Sequence, residues 1–462
     1  MPRRQNAEHE QTVEEARVRV AVAESISQID ADLAERLFEQ SLRDAPDTVE
    51  VVGGYAMFLE SVRKDYDRAE EFYERALSAN PTHAVLLCNF AIFLKDVRQD
   101  MDRAEEHYLR SLQADSHDAT NLGNYAVFLQ QVRQDMDQAE EYFQRALQAD
   151  PQHAHNLGNY ARYLRWVRQD VAKADVYCER AVSAEPAHAG NLADYGTFLH
   201  LVCQDFDRAE DYYQRAVETD PQNADNLANY AVFLRSHRQD MDRAEEYFER
   251  AVQADPHHPN NLFNYAMFWQ GVRRDTDRAE EYYRRATEAD PQRVVFQSGY
   301  ALFLQNIRQD MQGAEKHFRL ALAANPADAG TLGNYARFLF ANGQLEEGQS
   351  ILERAIQAHD LAMGDALSLE LAFYAFAMGR VNERQCHLTA LRQLLEAGIR
   401  SPGWDLNPIV ERAIELHHPA GEWLSKLAAV ISDGADLASL DDWPDWRAAK
   451  PVDSDDQANG SQ

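Results

Sequence analysis

The polar and apolar positions of this chain follow a helical rhythm that is itself repeated. In Asn121-Leu-Gly-Asn-Tyr-Ala-Val-Phe-Leu129, the residues Leu122, Tyr125, Ala126 and Leu129 stand at i, i+3, i+4 and i+7, so they share one face of a helix. A second apolar stripe follows in stretches such as Arg243-Ala-Glu-Glu-Tyr-Phe-Glu-Arg-Ala-Val252, where Ala244, Phe248 and Ala251 form the buried side. Between the two predicted helices stands Arg-Gln-Asp or a near variant, as at Arg98 and Asp100, Arg133 and Asp135, and Arg238 and Asp240. The Asp is placed to accept from the free N–H groups at the start of the second helix. Proline, at Pro151, Pro221, Pro256 and Pro291, closes the unit because it cannot continue a helix.

The two-helix unit recurs along most of the chain. The aromatic at the centre of the first helix falls at Tyr55, Phe90, Tyr125, Tyr160, Tyr195, Tyr230, Tyr265, Tyr300 and Tyr335, each step being 35 residues. One period upstream, Ala34, Phe38 and Pro46 keep the second half of a degenerate unit. This pattern resembles the tetratricopeptide repeat (TPR). Ala139, Phe143, Ala146 and Pro151 stand at that family's spacing, as do Leu122, Tyr125, Ala126 and Leu129 of the first helix. The unit is one residue longer than the family's, in the inter-helix turn. The last one, with Leu339-Phe-Ala-Asn-Gly-Gln-Leu-Glu-Glu-Gly348, returns to the ordinary spacing. The resemblance covers residues 13–360. It implies an all-α, right-handed α-α solenoid of about ten helical hairpins, and a non-catalytic binding scaffold.

Outside the repeats, residues 1–12 are expected to be a flexible N-terminus. Residues 361–448 are expected to form a helical C-terminal capping module, with helices near 367–378, 382–397, 409–417 and 420–432. Four of the six tryptophans (Trp404, Trp423, Trp443 and Trp446) lie there. Residues 449–462 are polar and expected to be disordered.

Composition narrows the function. With 46 Lys+Arg against 77 Asp+Glu the net charge is −31, which disfavours nucleic acid and acidic membrane surfaces as partners. No apolar run approaches the ~20 residues of a membrane span, and Met1 to Gln11 is too polar for a secretory signal. The four scattered cysteines fit a reducing compartment, so a cytoplasmic protein is expected. No catalytic, cofactor-binding or metal site is expected. Adjacent acids such as Glu105 and Glu106 diverge on a helix and suit a solvated, ion-paired face. His83, His153, His188 and His258 recur one per unit, in a line rather than a cluster.

The side of the first helix farthest from its apolar stripe carries Asn124, Val127 and Gln131. Followed through the units, the first position gives Asn89, Asn124, Asn159, Asn229, Asn264 and Asn334. Beside them run Val127, Val232 and Met267, interrupted by Arg162 and Arg337, and the third line includes Trp166. A primary amide donates and accepts as a peptide group does. A row of them either grips an extended protein segment by its backbone or bonds to the neighbouring repeat and holds the stack. The row is similar to the asparagine ladder in the TPR superhelix of O-linked N-acetylglucosamine transferases, which implies peptide binding. The carboxylate-clamp members of the family use Lys and Arg that these positions supply only at Arg162 and Arg337, five repeats apart. Charges at the three positions (Asp96, Asp194, Arg162 and Arg337) sum to zero, so a neutral groove for a protein or peptide partner is expected. The alternative is self-association through the end surfaces, with the Trp-rich tail as the joint.

Overall fold

A computed structural model describes residues 2–359 and 363–449, and these contain no strand. The chain divides into two compact units, Met1–Arg238 and Gln239–Gln462. The first opens with a helix, Pro2–Ile26, packed on Ala31–Asp44. That helix takes in residues 2–12, expected above to be flexible. Ala16, Val20 and Ala23, at i, i+4 and i+7, bury its later half, and no breaker interrupts it after Pro2. Five regular hairpins follow, from Val49–Phe58 with Tyr66–Ala79 to Ala189–Phe198 with Phe206–Thr219, and then the helix Ala224–Phe233. The second unit starts with Met241–Ala254. Its hairpins are Pro259–Phe268 with Thr276–Ala289, Val294–Phe303 with Met311–Ala324, and Ala329–Ala341 with Leu345–Ala358.

The extra residue of the 35-residue unit is absorbed without breaking the helix. At the end of Ala119–Phe128 the backbone widens into one π turn, Leu129–Arg133. The next residue, Gln134, is left-handed at φ 55°, and both its N–H and that of Asp135 reach back to the Leu129 carbonyl. The 34-residue last unit has no such widening: Ala329–Ala341 runs on as α-helix and the left-handed place falls to Gly343, φ 79°.

Caps fix the helix starts. Asp100 and Asp135 accept from the N–H groups of Arg103 and Gln138 at 3.1 and 3.0 Å. The recurring histidines are caps as well. Nδ1 of His83, His153 and His188 accepts from the N–H of Leu86, Asn156 and Asn191 at 3.2, 3.3 and 3.0 Å, which requires the neutral ring.

The expected stripe of Leu122, Tyr125, Ala126 and Leu129 is buried, together with Phe128, Ala139, Phe143 and Ala146. Aromatic rings continue the core from repeat to repeat, Phe143 meeting Tyr160 at 5.8 Å. A polar clamp joins the outer edges. Arg133 binds Asp102 at 2.7 Å and Glu105 at 2.8 Å in the preceding repeat, and the Tyr125 hydroxyl donates to Glu105 at 3.2 Å. Arg98, Arg168 and Arg238 repeat the clamp. The paired acids therefore differ: Glu106 is exposed as expected, whereas Glu105 is half-buried within the joint.

After the repeats come helices Ala366–Met378, Arg384–Glu396, Asn407–Glu415, Gly421–Ser432 and Pro444–Ala448. Trp443 and Trp446 are buried, with Trp423 stacked on Trp443 at 5.7 Å. Of the expected disordered tail, Ala449 is buried and residues 450–462 lie outside the described residues.

Candidate functional site

The asparagines expected to line a groove are not alike. In the first unit Asn89 and Asn124 are half-buried, and their Nδ2 groups donate only to sulfur of the preceding repeat, Met57 Sδ at 3.2 Å and Cys88 Sγ at 3.4 Å. Sulfur is a weak acceptor, so these amides are loosely held. Asn229 is exposed. Asn159 is buried, and its Oδ1 accepts from Arg162. In the second unit Asn264 and Asn334 are half-buried, and Asn334 Oδ1 is buried without a hydrogen bond.

A different asparagine row bonds repeat to repeat. Asn121, Asn156, Asn191 and Asn226 stand three residues before the predicted row and are buried. Asn156 Nδ2 donates to the Ala119 carbonyl of the preceding repeat at 2.7 Å, and Asn191 Nδ2 to that of Ala154 at 3.1 Å. Glycine makes room for both. A Cβ on Gly123 would lie 2.0 Å from Asn156 Oδ1, and one on Gly158 2.7 Å from Asn191 Oδ1. Where that position holds Cys88 or Ala193, the asparagine of the next repeat, Asn121 or Asn226, keeps a buried Nδ2 with no partner. The signal was available in the sequence as Gly and Asn 33 residues apart, present together at Gly123–Asn156 and Gly158–Asn191.

Of the apolar residues, Val127 and Val232 are half-buried, while Met267 and Trp166 are exposed, Trp166 by 65%. Next to Trp166 in the repeat order stands Leu201, 58% exposed.

The row directly after the last core leucine was not anticipated. Glu60, Lys95, Gln130, Arg165 and Arg235 are half-buried, and His200 is buried. A tyrosine thirteen residues on satisfies some of them: Tyr73 OH donates to Glu60 at 2.7 Å, and Tyr213 OH shares a hydrogen bond with His200 Nδ1 at 3.3 Å. At Arg165 that position is Cys178, which offers no hydroxyl. Its guanidinium lies 4.2 Å from the centre of the Trp166 ring and its Nε is buried without a partner. Burial lowers the pKa of Arg165 and, separately, of Arg235. Burial raises that of Asp194, against the pull of Arg162 and Arg165. The expected neutral surface is thus corrected: it carries half-buried charge that counting only the three outermost positions missed. A cavity of about 20 Å³, room for a single water, lies among Gly158, Arg162, Arg165, Asn191 and Asp194.

Arg337, expected on the open surface, is only 4% exposed. Within the second unit the chain's own segment Ser401–Leu406 covers it. The guanidinium lies 5.2 Å from the Trp404 ring centre and donates to the Asp405 carbonyl at 3.4 Å. Trp404 Nε1 in turn donates to Tyr374 OH at 2.6 Å, and Ser401 Oγ to the buried Glu370, whose carboxyl burial pushes up. Of the Trp-rich tail, Trp443 and Trp446 are internal to this unit, and Trp404 and Trp423 are half-buried.

Among the described residues no three His, Cys, Asp or Glu side chains are grouped to hold a metal ion, and no helix is long and apolar enough to cross a membrane.

Family models match much of the chain in pieces. The model of the cilia and flagella-associated protein 70 middle TPR-like domain matches residues 201–304, TPR models match 28–84, 133–153 and 307–369, and a Sel1 repeat model matches 93–116. No curated protein matches. Among solved structures, Pseudomonas aeruginosa PilF is 18% identical over 47% of this chain and 96% of its own, with a TM-score of 0.39. YrrB, a TPR protein with an unusual peptide-binding site, is 24% identical over 41% and 95%, TM-score 0.29. A monomeric mutant of IFIT1 with m7Gppp-AAAA is 15% identical over 71% and 77%, TM-score 0.46.

Proposed function

We propose a function that proceeds from one premise, that the chain belongs to the tetratricopeptide-repeat superfamily. At the level of that family it is a protein–protein interaction scaffold. Beyond this, an extended protein segment lies along the first helices of the first unit. Asn89, Asn124 and Asn229 address its backbone, and Val127, Val232 and Trp166 receive its side chains. In the second unit Asn264 and Met267 have the same character. Asn159, buried and bonded by Arg162, and Asn334, one turn from the covered Arg337, stand outside this contact set. The protein acts without catalysis or a cofactor.

The observation that carries this proposal is the division of labour between the two asparagine rows. At Asn156 and Asn191 the backbone bond between repeats is made by the buried row and not by the outer one. Its amides are exposed at Asn229 and loosely held by sulfur at Asn89 and Asn124. An extended chain presents a carbonyl and an N–H at each residue, and a primary amide can satisfy both.

The test replaces Asn124 and Asn229 with Ala and compares partner capture from the native cells with helical content and melting temperature. Loss of a captured partner at unchanged stability is expected. Equal capture by the variant and the parent would refute the role of the outer row.

A further inference from the structure

The six residues Leu-Gly-Asn-Tyr-Ala-Arg occur twice, at 157–162 in the first unit and at 332–337 in the second. At the second place the arginine has an occupant. Arg337 is buried against a segment of its own chain, with the Trp404 indole against its guanidinium and the Asp405 carbonyl accepting from Nη1. The segment is short and apolar-edged, Pro402-Gly-Trp-Asp-Leu406, and Leu406 is itself buried. At the first place the arginine is open. The Arg162 side chain is 53% exposed, bonded to Asn159 Oδ1 and 3.8 Å from Asp194.

The surroundings of Arg162 have the features of a contact patch. Trp166 and Leu201 are exposed in successive repeats, and Trp and Arg are among the side chains that most often anchor interfaces. Arg165 brings a buried Nε that no protein group satisfies. Arg162 and Arg165 against Asp194 leave a net positive charge of one on a protein of net charge −31, so the patch is complementary to an acidic side chain. The outer clamp is also missing here: Cys203 replaces the arginine found at 98, 133, 168 and 238, and Ala172 replaces the aspartate found at 102, 137 and 207.

We infer that the patch formed by Arg162, Arg165, Trp166 and Leu201 holds a partner segment in which an aromatic residue is followed by an acidic one, as Trp404 is followed by Asp405. The aromatic ring packs on the Arg162 guanidinium. The acidic side chain is drawn to Arg165, and the residue after it rests on Trp166 and Leu201. This inference rests on the scaffold function proposed above and narrows it to a chemical class of partner.

The experiment titrates the full chain against a fluorescein-labelled peptide copying residues 402–406 and follows anisotropy. Saturable binding is expected, weakened about tenfold or more by Arg162→Ala or by Trp166→Ala. It is weakened as much when the peptide's Trp becomes Ala or its Asp becomes Asn. Both replaced side chains are exposed, and circular dichroism and melting confirm that each variant is folded. Absence of saturation at about 1 mM chain would overturn the inference. So would binding that survives Arg162→Ala but is lost in Arg337→Ala, since the peptide would then be displacing the chain's own segment. Failure here, with Asn124→Ala and Asn229→Ala still losing the captured partner, removes this patch and leaves the scaffold function standing. Peptide binding at Arg162 with capture unchanged in those variants keeps the patch and removes the role of the outer asparagine row.

Discussion

At Gly123 a missing methyl group decides whether a neighbouring repeat is bonded. Alanine is the better helix former by about 1 kcal/mol, yet its Cβ would occupy the place of Asn156 Oδ1 and break the bond to the Ala119 carbonyl. Gly123→Ala is therefore expected to lower stability in urea unfolding by about 1–3 kcal/mol, the reverse of the propensity order. The recurrence of both asparagine rows was legible in the sequence. Which row bonds the neighbour's backbone was not, because the angle at which repeats approach each other sets that choice, and a 3.6-residue period carries no information about it. Histidine gives a second prediction. Burial, with a smaller push from His237, depresses the pKa of His200 to about 4, and burial does the same for His418. The unfolded rings titrate near 6.5, so between pH 6.5 and 4 the unfolded state binds more protons and stability falls as pH falls. Each buried ring accounts for about 3 kcal/mol over the full window. Raised carboxyls such as Asp194 and Glu370 act with the opposite sign. The comparison that isolates the histidine is urea unfolding of His200→Gln and the parent from about pH 7 to pH 5, where the variant should lose less stability.

At the scale of the helical hairpin, the added residue of each repeat was legible from the 35-residue period, but its form was not. A period cannot distinguish a longer loop from a wider helix. The π turn Leu129–Arg133 ends on Gln134 at φ 55°, a conformation that glycine adopts at less cost. Gln134→Gly is expected to stabilise the chain by about 0.5–1 kcal/mol in thermal or urea unfolding. A loss would mean that the glutamine makes a compensating contact. The clamp at the same hairpin yields a contrast between its two acids. Asp102 is 92% exposed at its side chain and Glu105 only 26%, with Tyr125 and Arg133 both donating to it. Glu105→Ala should therefore destabilise by about 1–2 kcal/mol, whereas Asp102→Ala stays within about 0.5 kcal/mol. The sequence placed the two carboxylates of Glu105 and Glu106 correctly on diverging faces, but treated both as solvated because the joint between repeats lies outside any single helix.

At the scale of the whole molecule, the charge of −31 is distributed by the repeat rather than spread at random. Exposed acids such as Glu106 and Asp102 sit on second helices, while the row that ends the first helices of the first unit holds half-buried Lys95, Arg165 and Arg235 beside one acid, Glu60. The fold class followed from the repeat together with its resemblance to a known family. Part of the surface did not: the cover over Arg337 comes from Trp404 and Asp405, 67 and 68 residues later in sequence and outside the repeat, where periodicity has nothing to say. The central claim is that a partner segment lies along the first helices, beside the outer asparagines, and not on the acidic second helices. The most direct measurement places a photo-crosslinking residue at position 232, beside Asn229, and separately at position 106 on the outer face, and then identifies the adducts formed with captured protein. Adducts from position 232 and none from position 106 are the predicted result; adducts from position 106 alone would contradict the claim.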